Sequence, residues 1–257
     1  MKKYIIDLRV MAKEALNDNN FLLKLTSDRA LPEMVPGQFV EVRVDGSQET
    51  FLRRPISINY VDKQANELWL LVRIAGNGTR RLSQLSVGET LNVILPLGNG
   101  FSIPTNTGDK LLLVGGGVGT APMLYLGATL LQIGCKPSFL LGARTASDVL
   151  QRQDFERIGT VHITTEDGSL GDKGFVTDHS ILATSFNKIY ACGPKPMMLA
   201  IARYAKATSS DCEVSLENMM ACGIGACLCC VEKTVRGNVC VCSEGPVFNI
   251  NQLTWQI

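Results

Sequence analysis

The sequence predicts a β plus α/β chain in three parts: an antiparallel barrel, a doubly wound parallel sheet, and a small cysteine-rich C-terminal domain. Three observations carry that reading. Short runs of branched and aromatic residues, separated by turn residues, fill positions 1–100. Over 101–216 the rhythm changes to all-apolar strands alternating with helical segments. In 217–257, regular periodicity fades and six of the nine cysteines crowd between Cys222 and Cys242.

In the first part, strands are expected at 4–10, 21–25, 38–44, 55–59, 67–74 and 90–95, with a helix at 79–85. Many short strands at this spacing suit an antiparallel barrel. The second part opens with the all-apolar strand 111–114, a glycine turn, and a helix through Leu131. Further buried strands are expected at 138–141, 160–164 and 188–191, with helices near 147–158 and 195–205. Strands alternating with helices imply a parallel sheet covered on both faces.

Composition narrows the function classes. The 257 residues include 25 basic and 24 acidic side chains, a net charge of +1. That balance offers no electrostatic footprint for nucleic acid or an anionic membrane. Lys110 to Lys136 encloses no charged residue, which suggests a membrane helix on length alone. Gly115, Gly116, Gly117, Gly119 and Pro122 interrupt it, so a strand, turn and helix is the better reading. A disulfide scaffold would spread its cysteines, whereas these are clustered. The start of the chain, broken early by Asp7 and Arg9, does not read as a signal peptide. A reducing cytoplasm is the expected setting.

Cys222, Cys227 and Cys230 stand in C-x4-C-x2-C order, the plant-type spacing for [2Fe–2S] ligands, with a fourth cysteine further on. Cys242 is taken as the fourth, with Cys240 the neighbouring candidate. Gly223 and Gly225 allow a tight loop that turns sulfurs and backbone N–H groups inward. A zinc site using Cys227, Cys230, Cys240 and Cys242 is the bland alternative, but it leaves Cys222 idle.

Two loops of the second part suit a nucleotide. Gly115, Gly116, Gly117 and Gly119 lead from a strand into a helix, where backbone N–H groups can receive a pyrophosphate. Pro122 takes the place of the third glycine of G-x-G-x-x-G, so a tight structural turn is the alternative. Cys192, Gly193 and Pro194 form a second strand-to-helix loop, and both loops fall at strand carboxyl ends, where ligands bind. A thiol at Cys192 could contact a nicotinamide ring; otherwise it is a small buried residue. In the barrel, Arg54, Pro55, Ile56 and Ser57 form an R-x-x-S run. Arg53 and Arg54 alone would read as a solvated pair.

Taken in order, R-x-x-S, G-x-G-T, G-G-G-x-G-x-x-P and C-G-P-x-P-M resemble the ferredoxin-NADP reductase superfamily. The C-terminal cysteines and Gly245-Pro246 narrow the resemblance to the electron-transfer subunits of type B dihydroorotate dehydrogenase. The resemblance implies FAD on the barrel, NAD on the α/β domain and a [2Fe–2S] cluster in the last domain. It puts Arg54 on an FAD phosphate, Ser57 near the flavin N5, the backbone of Leu71, Val72 and Arg73 along the flavin, and Gly78 and Thr79 at its pyrophosphate. It implies Cys222, Cys227, Cys230 and Cys242 as cluster ligands. It further implies an FMN-containing dihydroorotate dehydrogenase catalytic subunit as partner, in a heterotetramer of two of each subunit, serving pyrimidine biosynthesis. A related reductase subunit of a hydrogenase or transhydrogenase shares nearly every motif. NAD against NADP stays open in the residues, because Arg144 could contact a 2′-phosphate.

Overall fold

Alternating burial builds the first sheet of the computed structural model, which describes residues 2–257. In β1 (Tyr4–Asn17), Leu8 and Val10 point into the core while Asp7 and Arg9 face water. It joins β2 (Asn20–Thr26), β3 (Phe39–Val42), β4 (Arg54–Ser57), β5 (Tyr60–Asp62), β6 (Glu67–Arg73) and β7 (Thr90–Leu97). The order is β4-β3-β7-β1-β2-β6-β5, antiparallel throughout. The run expected at 55–59 is where the barrel closes. Ile58 N–H donates to Gln38 O beside β3, and the next N–H, of Asn59, donates to Trp69 O in β6. Pro55 falls on a terminal strand, where a missing N–H costs least. Helix α1 (Asn77–Leu82) starts two residues before the expected helix and ends three short of it.

The second sheet contains β8 (Leu111–Gly116), β9 (Pro137–Ala143), β10 (Thr160–Thr165), β11 (Asp172–Lys173), β12 (Lys188–Cys192) and β13 (Asp211–Ser215). These run parallel in the order β11-β10-β9-β8-β12-β13. The winding reverses between β8 and β12, so a crevice opens beyond their carboxyl ends. There Gly115 stands opposite Cys192. Helices α2 (Ala121–Gln132), α3 (Arg152–Glu156) and α4 (Lys195–Ala207) cover the sheet. The helix expected at 147–158 is shorter, because Val149 is extended and Gln151 takes a left-handed φ of 52°. Tyr190, Phe139 and Phe155 are fully buried here, each worth about 2–3 kcal/mol of apolar burial.

Beyond Ser215 the chain folds against both sheets. A hairpin, β14 (Val231–Thr234) with β15 (Gly237–Cys240), leads into α5 (Val241–Glu244). Then β16 (Val247–Asn249) adds antiparallel to β13. The barrel and the α/β half are pinned by polar contacts. Asn59 Nδ2 donates to Ala121 O at 3.0 Å and to Gln151 Oε1 at 2.9 Å, and the Tyr125 hydroxyl donates to Met34 O at 2.9 Å. Among the described residues, no helix is long and apolar enough to cross a membrane.

Candidate active site

Three features meet around the crevice. On the barrel, all four residues of β4 are only half-buried, at an edge of the sheet order. The two arginines separate. Arg53 turns inward, donating to Glu41 O (3.2 Å), Asn92 O (3.1 Å) and Asn92 Oδ1 (2.5 Å), which makes it a structural brace. Among the described residues Arg54 donates only to the Leu52 carbonyl (3.0 and 3.3 Å), so its guanidinium edge is left for an anion. Gly78 packs close to it, since a Cβ there would lie 3.1 Å from Arg54 Cδ. The Thr79 hydroxyl accepts from Ala75 N–H (2.8 Å) and Gly76 N–H (3.2 Å), closing its own loop.

On β3, opposite Pro55, Glu41 is fully buried, with both carboxylate oxygens unpartnered among the described residues. Burial pushes its pKa from 4.5 to about 7, against the pull of Arg54 and Arg53.

The second feature is a cavity of about 640 Å³ at the carboxyl ends of β8, β9, β10 and β12. Arg73, Gly116, Gly117, Pro194, Met197 and Glu217 form its inner wall. The two glycine loops interlock there. A Cβ on Gly119 would lie 2.5 Å from Cys192 O, one on Gly116 2.6 Å from Met197 Sδ, and one on Gly193 3.0 Å from Gly116 N. Gly115 likewise leaves no room against Thr120. Gly117 (φ 55°) faces open space, as a phosphate-approaching residue must. Two buried polar atoms of the lining, Asn20 Oδ1 and Thr164 Oγ1, have no partner among the described residues.

Cys192 is buried beneath this wall, with its Sγ 3.9 Å from Glu217 Oε1. Burial and the Glu217 charge push the thiol well above its ordinary value. The Glu217 carboxyl is raised by desolvation from the cavity walls, with Arg73 opposing, although the side chain remains open to the cavity.

The third feature is the cysteine loop. Gly223 (φ 68°) and Gly225 (φ 85°) take the left-handed turns that aim its N–H groups at sulfur. Ala226 and Ile224 donate to Cys222 Sγ (3.3 and 3.5 Å), Gly225 to Cys242 Sγ (3.1 Å), and Cys242 N–H to Cys230 Sγ (3.4 Å). Desolvation opposes ionisation of Cys222, but the N–H donors and the Cys227 thiol outweigh it and bring its pKa to about 6. No three side chains among the described residues are arranged for a single metal ion. Cys222 is approached by the Cys227 thiol, and Cys230 by Cys242. Cys240 also reaches Cys230, whereas Cys229 is exposed. The loop is seated on the barrel, because a Cβ on Gly223 would lie 2.5 Å from Glu41 Cγ.

Three family models match this chain in succession. The oxidoreductase FAD-binding domain covers residues 7–101, the oxidoreductase NAD-binding domain 113–203, and the iron–sulfur cluster binding domain of dihydroorotate dehydrogenase B 217–254. The dihydroorotate dehydrogenase B (NAD(+)) electron transfer subunit of Shouchella clausii is 38% identical over 98% of this chain and 99% of its own. That of Listeria monocytogenes serovar 1/2a is 40% identical over 96% and 98%. The chain belongs to the family of dihydroorotate dehydrogenase B electron transfer subunits. Among solved structures, an NADH-dependent reduced ferredoxin-NADP oxidoreductase superposes with a TM-score of 0.86 at 28% identity, covering 96% of this chain and 90% of that one.

As a member of that family, the chain is an oxidoreductase subunit with FAD-, NAD- and iron–sulfur-binding domains, which removes the zinc module. The donor sets described above fit those groups. Sequence reasoning did not give a role to Glu41 or Glu217, nor did it single out Asn20. Position at the end of β13 is the signal that could have drawn attention to Glu217, since β13 is a parallel strand of the same sheet as β12. Cys135 and Cys212 are plain core thiols.

Proposed function

We propose that this chain carries electrons between a catalytic partner subunit that oxidises dihydroorotate and NAD+, by way of its cluster and its flavin. The observation that supports this most is continuity. The cysteine loop packs on Glu41, Glu41 stands opposite Pro55 beside Arg54, and Arg73 and Glu217 line the nucleotide cavity.

A bound flavin exchanges a two-electron hydride for single electrons, so FAD belongs between the nicotinamide and the cluster. Arg54, with Gly78 and Thr79 beside it, holds the FAD phosphates, and Pro55, Ile56 and Ser57 border the ring with the backbone of Leu71, Val72 and Arg73. Gly116 and Gly117 admit the dinucleotide pyrophosphate. Gly115, Gly119, Gly193 and Pro194 keep the two loops interlocked beneath it. Cys192, fully buried beneath the cavity wall, acts on the nicotinamide end only through Glu217, which lines the cavity. Cys222, Cys227, Cys230 and Cys242 would hold the two irons of the cluster, with the loop N–H groups already directed at the sulfurs of Cys222, Cys230 and Cys242. The domains divide at 1–100, 101–216 and 217–257. The partner contains FMN, two copies of each subunit assemble, and the complex works in the cytoplasm in pyrimidine biosynthesis.

The test is reconstitution. The purified chain should contain flavin, two irons and labile sulfide, and dihydroorotate should reduce NAD+ only when the FMN subunit is added. Failure of NAD+ reduction in the complete mixture would refute the proposal. The likeness to the NADH-dependent ferredoxin-NADP oxidoreductase supports a second reading, a reductase subunit of a transhydrogenase. Co-purification with such a partner, in place of the FMN subunit, would establish it.

A further inference from the structure

Six cysteines fall from Cys222 to Cys242, and a [2Fe–2S] cluster has use for four. Of the two left over, Cys229 faces solvent beyond a left-handed Leu228 (φ 60°). Cys240 is placed differently. It ends β15 opposite Val231, the residue after Cys230, and its thiol reaches the Cys230 sulfur, as that of Cys242 does. The backbone closes the contact, since Val241 N–H donates to Cys230 O at 3.1 Å.

Gly225 separates the roles of the two neighbours. Its N–H donates to Cys242 Sγ at 3.1 Å, while its carbonyl faces Cys240 Sγ at 4.0 Å. One residue thus meets the two sulfurs with opposite polarity. A sulfur that receives N–H groups is favoured as thiolate, the form that binds metal. A sulfur opposite a carbonyl keeps its proton, because only the thiol can donate. Burial sorts them in the same way: Cys242 is fully buried and Cys240 only half-buried. The loop therefore selects Cys242 as ligand and keeps Cys240 as a thiol beside it. Two residues of chain separate them, with Cys240 extended (φ −83°, ψ 117°) and Cys242 in the first turn of α5.

We propose that Cys240 is a reserve ligand, which takes the iron position of Cys242 when that bond opens. This rests on the reading that Cys222, Cys227, Cys230 and Cys242 hold the cluster. In the exchange the Cys240 thiol gives its proton to water and its sulfur bonds iron. The bond from Cys242 to iron breaks, and the Cys242 sulfur takes up a proton. No electron moves and no other reactant is consumed. Tethering keeps the spare thiol at a roughly millimolar effective concentration beside the opened position. The need for it follows from exposure, because Ile224, Cys227 and Leu228 leave this side of the loop open to water.

The test uses the full chain loaded anaerobically with FAD, iron and sulfide. Cys242→Ala should keep about two irons per chain, with an electron paramagnetic resonance signal shifted from the native one. Adding Cys240→Ala to it should abolish iron binding, whereas adding Cys229→Ala should not. Retained flavin in each variant separates loss of a ligand from loss of the fold. Cys240→Ala alone should load iron with the native signal but release it to a chelator about tenfold faster than the native chain. Equal release rates would overturn the proposal, as would a Cys242→Ala chain that binds no iron although the native chain does. Loss of the native signal in Cys240→Ala alone would make Cys240 the resident ligand and overturn it too. A native chain that takes up no cluster would sink the ligand reading together with the reserve.

Discussion

The nucleotide loops and the cysteine loop both depend on glycine, for opposite physical reasons. At Gly119 and Gly193 the glycines let two loops touch backbone to backbone, and at Gly116 a Cβ would run into the Met197 side chain. At Gly223 and Gly225 they supply left-handed turns that point N–H groups at sulfur, and much of the loop is exposed: Ile224, Ala226, Cys227, Leu228 and Cys229 all face solvent. The first arrangement is built by packing and exists before any ligand arrives. The second has little apolar burial of its own and is completed by the metal its thiolates hold. The chain thus pairs a preformed nucleotide site with a ligand-dependent cluster site.

The largest effect expected from that contrast is at Cys222. Cys222→Ser should remove the cluster entirely while flavin stays bound and NADH oxidation by artificial acceptors continues. Iron and sulfide analysis with electron paramagnetic resonance reads the result, and retained iron would remove Cys222 from the ligand set. Next is Gly119→Ala, whose methyl would meet the carbonyl of Cys192 at 2.5 Å, an atom that cannot step aside. It should cost about 3 kcal/mol of stability with a matching loss of NADH affinity, while leaving the iron content intact. A thermal midpoint equal to that of the native protein would show that the loops are not interlocked as described.

What could be read in advance follows the same divide. Arg54 to Ser57, the glycines from Gly115 to Gly119 and the cysteines were legible because each motif is local, its spacing fixed by one turn of chain. Glu41 and Glu217 were not, because their meaning comes from partners distant in sequence: Glu41 meets Gly223 across 182 residues. Strand β13 escaped for a related reason. Asp211 and Glu213 make it look like a loop, and only the fold shows Lys188 binding both, at 2.6 and 3.3 Å. The helix expected at 147–158 failed at Gln151, whose side chain and the Asn59 amide exchange hydrogen bonds across the domain boundary. The sheet classes were legible because period and composition are properties of whole segments.

The smallest expected effect concerns Glu41, where the two kinds of site touch. Its carboxyl is raised from 4.5 to about 7 in the folded chain, so the folded state binds the proton more tightly than the unfolded one. The stabilisation this gives is complete below pH 4.5 and is lost as pH rises through 7. The rise is worth at most about 3 kcal/mol, and relaxation around the ionised group will reduce that. Glu41→Gln removes the titration but keeps the shape, so the variant should gain on the native protein between pH 5 and pH 8. Denaturant midpoints at the two pH values measure the difference. If the two proteins keep a constant gap across that range, the buried carboxyl is ionised throughout and held by Arg54 and Arg53. The seat of the cysteine loop would then be an ion-pair network, and the cluster region would owe more to preformed electrostatics than its exposure suggests.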